Sequence, residues 1–259
     1  MFGQALDSWA FSLLIFARVI SVISIAPIFG GRNTPVIMRI GFSAVLALIF
    51  SMVLHRPELN FDAVFLMLLP GEVIIGLGIG YMAMLIFNAI QMAGQLIDTP
   101  MGFSMVNVFN PSTDTQLPVM GDFYYVLAML LFLATNAHHL LIGAIFESYA
   151  RLGLGQMVSY NLLSGFGEVF MRMFLIGVKI SIPAVGVMLM SDAAIALLSR
   201  TVPSINAFIM GAPIKIAFGV TAMLFSLGAY VAFATNLFHS SEAGMLSEIM
   251  GWLRMLGGY

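Results

Sequence analysis

The sequence predicts an all-α integral membrane protein of long, kinked or broken hydrophobic helices, about six apolar runs with one non-helical central loop. Three observations carry that expectation. Of 259 residues, 61% are hydrophobic and only 8% charged, where ordinary soluble chains carry roughly 45–50% and about 25%. The apolar runs are long enough for the roughly 20 residues that a helix needs to cross a bilayer. Between the third and fourth runs lies Asp98–Asp122, a 25-residue stretch rich in turn signals.

The first run, Ser8 to Phe29, follows Asp7 rather than a basic segment and is longer than the core of a secretory leader, so it is expected to remain as a helix. Pro27 and Gly30-Gly31 end it, and Val36 to Leu54 form the second run. After the polar break His55-Arg56-Pro57-Glu58, the third run extends from Ala63 to about Ile97, with Pro70, Gly76, Gly78 and Gly80 inside it. Its excess length predicts a kinked helix or a broken pair. Phe123 to Phe146 is the fourth run, and a Gly-rich polar link, Arg151 to Gly167, separates it from the fifth. That fifth run, Glu168 to Leu198, is again over-long and holds Pro183 and Gly186; the last, Ile205 to Phe238, holds Pro213 and Gly219. A short amphipathic tail, Ser241 to Leu256, closes the chain. Neither a repeat nor a low-complexity linker divides it, so residues 1–259 read as one domain.

The central stretch is apolar where a surface loop is polar. Met101, Phe103, Met105, Val106, Val108 and Phe109 lie close together, and such a segment gains by packing against something. Asn110-Pro111 and Leu117-Pro118 bound a polar turn, because a residue before proline is pushed out of the helical region. Non-helical backbone at membrane depth is tolerated only within protein or beside a water-filled cavity. Two readings follow: a loop packed on a neighbour, or a plug in a conduit.

Charges inside apolar runs are expensive and are expected to face protein or water. Arg18, Glu72, Lys179, Asp192 and Lys215 lie within runs, and Asp98 and Arg200 at run ends. Structural ion pairs, contacts to other subunits and an ion pathway all remain open for them. Basic residues favour cytoplasmic loops. Arg32 and Arg39 place the first loop inside, and six conventional spans would place the central loop there too. That loop, however, contains Asp98, Asp114 and Asp122 and no base. The charges therefore predict either an odd number of true spans or helices that do not cross conventionally.

Several chemistries are excluded or weak. The absence of cysteine removes disulfides, thiolate nucleophiles and thiolate metal sites, and a net charge of −2 offers no basic surface for nucleic acid. Gly76-x-Gly78-x-Gly80 lacks the spacing of a nucleotide fingerprint, but Gly76-x-x-x-Gly80 suits close helix packing. His138 and His139, adjacent on a helix, are expected to diverge and make a poor metal pair. Gly102-Phe103-Ser104, with His138 or His239 as base, is a poor serine-protease signal. No enzyme and no cofactor is expected.

Taken in order along the chain, these motifs resemble the FliR family of flagellar export-gate proteins, called SctT in virulence type III secretion systems. The resemblance rests on Arg18 followed by Pro27, Pro70-x-Glu72 with Gly76 and Gly80, and Gly94-x-x-x-Asp98. It continues through the Gly102-Phe103 loop ending in Pro118, Asn136-x-His138, Asp192, Ser199-Arg200-x-x-Pro203, Asn206-x-Phe208 and Pro213. Asn110-Pro111 stands where the family often has Asp-Pro, and Ser204 where Gln often follows the proline. The resemblance implies a helical, closed-pore export-gate assembly with FliP and FliQ, alongside FlhB-type and other export-apparatus proteins, at the flagellar basal body in the bacterial inner membrane. Unfolded protein would be its substrate and lipid its surroundings. It also implies that the central loop is the plug, and that the intramembrane charges sit against partner subunits. A stand-alone secondary transporter using those charges is the competing function, although such folds are commonly built from inverted repeats.

Overall fold

The computed structural model describes residues 2–31, 34–55, 61–103, 118–155, 162–201, 207–239 and 244–257, and among these it is helical with no strand. The helices are α1 (Phe2–Ile25), α2 (Val36–Val53), α3 (Phe61–Met101), α4 (Val119–Ala134), α5 (Ala137–Arg151), α6 (Leu162–Thr201), α7 (Ala207–Phe238) and α8 (Met245–Gly257). They fall into two compact units built from non-contiguous segments. One comprises Met1–Ile86, Asn136–Phe170 and Leu237–Tyr259; the other comprises Phe87–Thr135 and Met171–Asn236.

In the first unit, α1 presents Phe11, Leu14, Ile15, Arg18, Val19 and Val22 as one buried stripe, the 3- and 4-residue spacing of a helix face. Alpha1 packs on α2, and α5 packs on α8. The glycines of α3 decide how closely its neighbours approach. A Cβ at Gly76 would strike the Arg18 carbonyl and lie 2.7 Å from Ser21 Cβ, and one at Gly80 would lie 2.9 Å from the Val22 carbonyl. Gly78, on a different face, lies under the Trp252 ring of α8. The amphipathic tail therefore folds back into protein. Its apolar positions Met245, Ile249, Trp252, Leu253 and Leu256 are all buried.

The second unit is made of residues 87–101 of α3, then α4, 171–201 of α6, and α7 up to residue 236. Phe87 packs edge-on against Phe132 and Tyr125. Tyr124 of α4 stacks on Tyr230 of α7 with centroids 4.5 Å apart, and the Tyr230 hydroxyl donates to the Tyr124 carbonyl at 2.9 Å. Gly177 brings α6 against α3, where a Cβ would sit 2.7 Å from the Ala89 carbonyl.

The structure corrects several boundaries. Alpha3 is one continuous helix of 41 residues through Pro70, not a broken pair. It runs past Asp98 and Pro100 to Met101, so the central interruption begins at Gly102. Proline normally ends a helix by removing a hydrogen bond, here to the Leu96 carbonyl. The last turn is nevertheless held by its side chains: Met101 and Asp98 are both buried. Gly102, at φ +83°, then terminates the helix in the left-handed conformation. At the other end, α4 starts at Val119 instead of Phe123. The fourth apolar run, read as a single helix, divides into α4 and α5 at Thr135-Asn136, where Asn136 adopts φ 56°; Asn tolerates that conformation better than most residues. Alpha6 begins at Leu162, within the expected polar link.

Among the described residues five helices are long and apolar enough to cross a membrane, or six if the bent α4–α5 pair is one span. The apolar windows of α3 and α6 cover 34 and 36 residues. At about 1.5 Å per residue the shorter is ~51 Å long. Fitting it into a ~30 Å hydrocarbon layer needs a tilt of about 54°, beyond the roughly 0–40° seen for membrane helices. Part of this apolar length must therefore be covered by protein rather than lipid.

Gly76→Val is expected to lower the melting temperature of the detergent-solubilised protein or prevent its accumulation, because the new side chain meets backbone. Gly41→Val, where nothing stands within 4 Å of a Cβ, should leave stability within about 0.5 kcal/mol of the parent. Equal melting temperatures for the two variants would refute the close-approach account.

Candidate functional site

The base of the central loop is a clamp between the end of α3 and the start of α4. A helix start exposes unpaired N–H groups and a partial positive charge. Alpha4 begins after Pro118, which makes no side-chain cap bond. The missing acceptor comes from Asp98: the Met120 N–H donates to its two oxygens at 2.9 and 3.2 Å, and the Gly121 N–H at 3.2 Å. Gly94, one turn earlier, makes room for this. A Cβ there would strike the Met120 carbonyl and lie 2.6 Å from Gly121 Cα. The spacing Gly94-x-x-x-Asp98 thus has a physical role, with the glycine admitting the helix end that the carboxylate caps. The Gln91 side-chain amide adds a 3.2 Å bond to Asp122.

Met101 closes the clamp from beneath. It is fully buried, and Gly219 of α7 lies against it, with a Cβ there only 2.5 Å from Met101 Cε. Of the six residues expected to form a plug, Met101 is thus an anchor of the loop base, and Phe103 is half-buried beside Gly102. Met105, Val106, Val108 and Phe109 lie outside the described residues.

The other functional cluster surrounds Arg18 in the first unit. Its guanidinium is completely buried, as is Glu72. Arg18 Nε donates to Glu72 Oε2 at 2.6 Å, Nη1 donates to Ser148 Oγ at 3.0 Å, and Nη1 and Nη2 donate to the Leu152 carbonyl at 3.2 Å. The second carboxylate oxygen, Glu72 Oε1, accepts the Gly155 N–H at 3.0 Å. The Tyr149 ring covers the guanidinium, 4.1 Å from Cζ to the centroid, and its hydroxyl donates to the Ile15 carbonyl at 3.2 Å. Charges so completely engaged within the chain are poorly suited to carry ions through it. They tie α1, α3 and α5 together.

The remaining expected charges separate by place. Asp192 and Lys215 form an ion pair between α6 and α7 and are half-exposed. Lys179 and Arg200 are exposed on the isolated chain, so neither is buried within this chain itself. Arg200 stands in the last turn of α6, where a cation complements the helix carbonyls. The His138 and His139 rings lie 4.2 Å apart instead of diverging, and among the described residues no group of three His, Asp or Glu is placed to hold a metal. Sequence reasoning missed Tyr149, Ser148 and the Leu152 carbonyl as partners of Arg18. Their only signal was a polar break, Glu147 to Arg151, at the end of an apolar run.

The sequence is also similar to known proteins. The model of "Bacterial export proteins, family 1" matches residues 9–241. The chain is 35% identical to the flagellar biosynthetic protein FliR of Bacillus subtilis (strain 168), over 91% of this chain and 93% of that protein. It is 26% identical to the flagellar biosynthetic protein FliR of Escherichia coli (strain K12), over 92% of each. It is also 33% identical to Yop proteins translocation protein T of Yersinia pestis, over 70% of this chain and 72% of that one.

Removing one member of the buried pair, as in Arg18→Met or Glu72→Leu, is expected to cost about 3–5 kcal/mol because the other charge is left without its partner. The double variant should be less destabilised than the sum of the singles by at least about 1 kcal/mol. Additive losses in detergent unfolding curves would show that the two charges are not coupled. Asp98→Ala should cost about 1–2 kcal/mol, as for loss of a helix N-cap, and raise hydrogen exchange at Met120 and Gly121.

Proposed function

The chain belongs to the family 1 bacterial export proteins, and on that footing we propose that it is a subunit of the flagellar type III protein export gate. In this reading it assembles with FliP and FliQ homologues into a closed pore in the bacterial inner membrane, at the flagellar basal body. FlhB-type and other export-apparatus proteins adjoin it, and unfolded protein is its cargo. The flagellar branch is favoured because its relative from Bacillus aligns over 91% of the chain, against 70% for the Yersinia translocation protein.

The observation that carries the reading is the clamped loop base. Asp98 fixes the first turn of α4 to the last turns of α3, and Met101 is wedged against Gly219. The helix ends that flank the loop are therefore held to each other, which would give a plug formed by Phe103, Met105, Val106, Val108 and Phe109 a fixed footing. Unbranched, polarisable Met side chains among aromatic ones pack tightly yet deform, and a ring of apolar groups resists wetting by ions. Such a plug seals against small ions while yielding to an entering polypeptide. The over-long apolar helices support the same reading, since a gate raised partly out of the bilayer covers them with neighbouring subunits.

The test is a deletion confined to Phe103–Phe109, sparing Asp98 and Met101 so that the base remains. Membrane vesicles containing the assembled complex should become leaky to monovalent ions by roughly tenfold or more, as expected when an apolar constriction is opened. An intact complex that stays ion-tight after the deletion would overturn the plug assignment.

A further inference from the structure

Among the described residues of the second unit, Lys179 is a charge within an apolar run that has no partner. Arg172 has a partner, and Asp192 is paired with Lys215. Among the described residues nothing pairs with Lys179, which stands exposed in the apolar window Phe166–Thr201. It lies 13 residues from the nearer end of that window, about 20 Å along the helix, well inside the apolar stretch. The residues around it are apolar and exposed. Met171, Leu175, Ile182, Met190 and Leu197 fall with Lys179 on a single helical stripe, with successive spacings of four, four, three, eight and seven. This stripe lies within the 36-residue apolar window of α6, ~54 Å long at about 1.5 Å per residue, more than a ~30 Å hydrocarbon layer covers even at a tilt of about 40°. Part of that apolar length is therefore covered by protein.

The immediate surroundings are built to receive an acceptor. Lys179 lines a cavity of about 140 Å³ together with Tyr124, Pro183, Ser226, Tyr230 and Phe233, and no carboxylate is among these residues. The Tyr230 hydroxyl is committed to the Tyr124 carbonyl and the Ser226 hydroxyl donates to the Met223 carbonyl. The hydroxyl lone pairs offer the ammonium neutral acceptors only, and no anionic group faces it in this cavity. We infer that the Lys179 face of α6 is the docking surface for a hydrophobic helix of a different export-apparatus subunit, one that places an Asp or Glu carboxylate against Lys179. The inference rests on the assembly reading above and adds the chemistry of one contact: an apolar helix face with a single acid. An ammonium closed into an apolar interface is costly without an anionic partner, so the carboxylate provides specificity by excluding helices that lack it.

The test uses the full-length chain co-expressed with the rest of the export apparatus. A membrane-permeant carbodiimide condenses a neighbouring carboxylate and amine into an amide, with the lost water taken up as the urea, and peptide mass spectrometry identifies the joined residues. The expected product links Lys179 to an Asp or Glu of another polypeptide. Lys179→Glu should reduce recovery of the complex at least tenfold, Lys179→Arg should retain most of it, and Lys179→Glu combined with a Lys at the linked acid should restore it. The restoration arm separates a lost contact from a misfolded chain: failure to restore overturns the inference. So does a complex recovered at parental yield from Lys179→Glu without an inter-chain link. A link to a second copy of this chain, or loss of bound anionic lipid from an otherwise intact Lys179→Met complex, also overturns it, by identifying another occupant. A parental chain recovered alone would remove the assembly reading itself, and this inference with it.

Discussion

The first unit depends on a charge that has no access to water. Arg18 lies on the buried stripe of α1, where Leu or Val would be the ordinary choice, and an isolated guanidinium there would be prohibitive. The structure meets that constraint by converging Glu72 from α3, Ser148 and the Leu152 carbonyl from the end of α5, and the Tyr149 ring. Glu72 is then completed by the Gly155 N–H. Each partner has a fixed place along its helix, so satisfying Arg18 also fixes the axial register of three helices. Hydrocarbon-like packing alone specifies register weakly, because one apolar contact substitutes readily for another. A buried, fully hydrogen-bonded charge admits far fewer arrangements.

Glycine supplies the proximity that such polar contacts require. Gly76 and Gly80 bring α3 within backbone contact of α1 beside the Arg18–Glu72 pair. In the second unit Gly94 admits the start of α4 to within hydrogen-bonding reach of Asp98, and Gly219 makes space for Met101. Both units therefore use one device: a small residue removes the side chain that would hold two helices apart, and a carboxylate uses the gap. At the loop base the result is mechanical: the last turns of α3 and the first turn of α4 are held to each other.

The exposed surface has an equally definite character. Alpha6 and α7 bury only 33% and 17% of their apolar windows within the chain, and α2 leaves most of its side chains outside. Some of this surface suits lipid. The lengths of α3 and α6, however, exceed what a bilayer accommodates, so the chain is shaped to be completed by other proteins. Family membership leads to the same conclusion from a different direction.

Much of this was legible in the residues themselves. Composition alone placed the chain in a membrane, and the runs located the helices to within a few residues for α2, α7 and α8. The lengths of the third and fifth runs already indicated helices too long for one conventional span. The sequence also identified which groups needed partners, because the cost of burying Arg18, Glu72 or Asp98 follows from residue type and apolar surroundings. It did not identify the partners. Arg18 and Glu72 are separated by 54 positions, Arg18 and Ser148 by 130, and no local period records which helix faces which. The break at Asn136 and the continuation of α3 through Pro100 were likewise settled at a distance, by contacts that outweighed local preference. Residue chemistry sets the demand for a partner locally; only the azimuth and register of packed helices, fixed here by glycine contacts, decide which residue meets it.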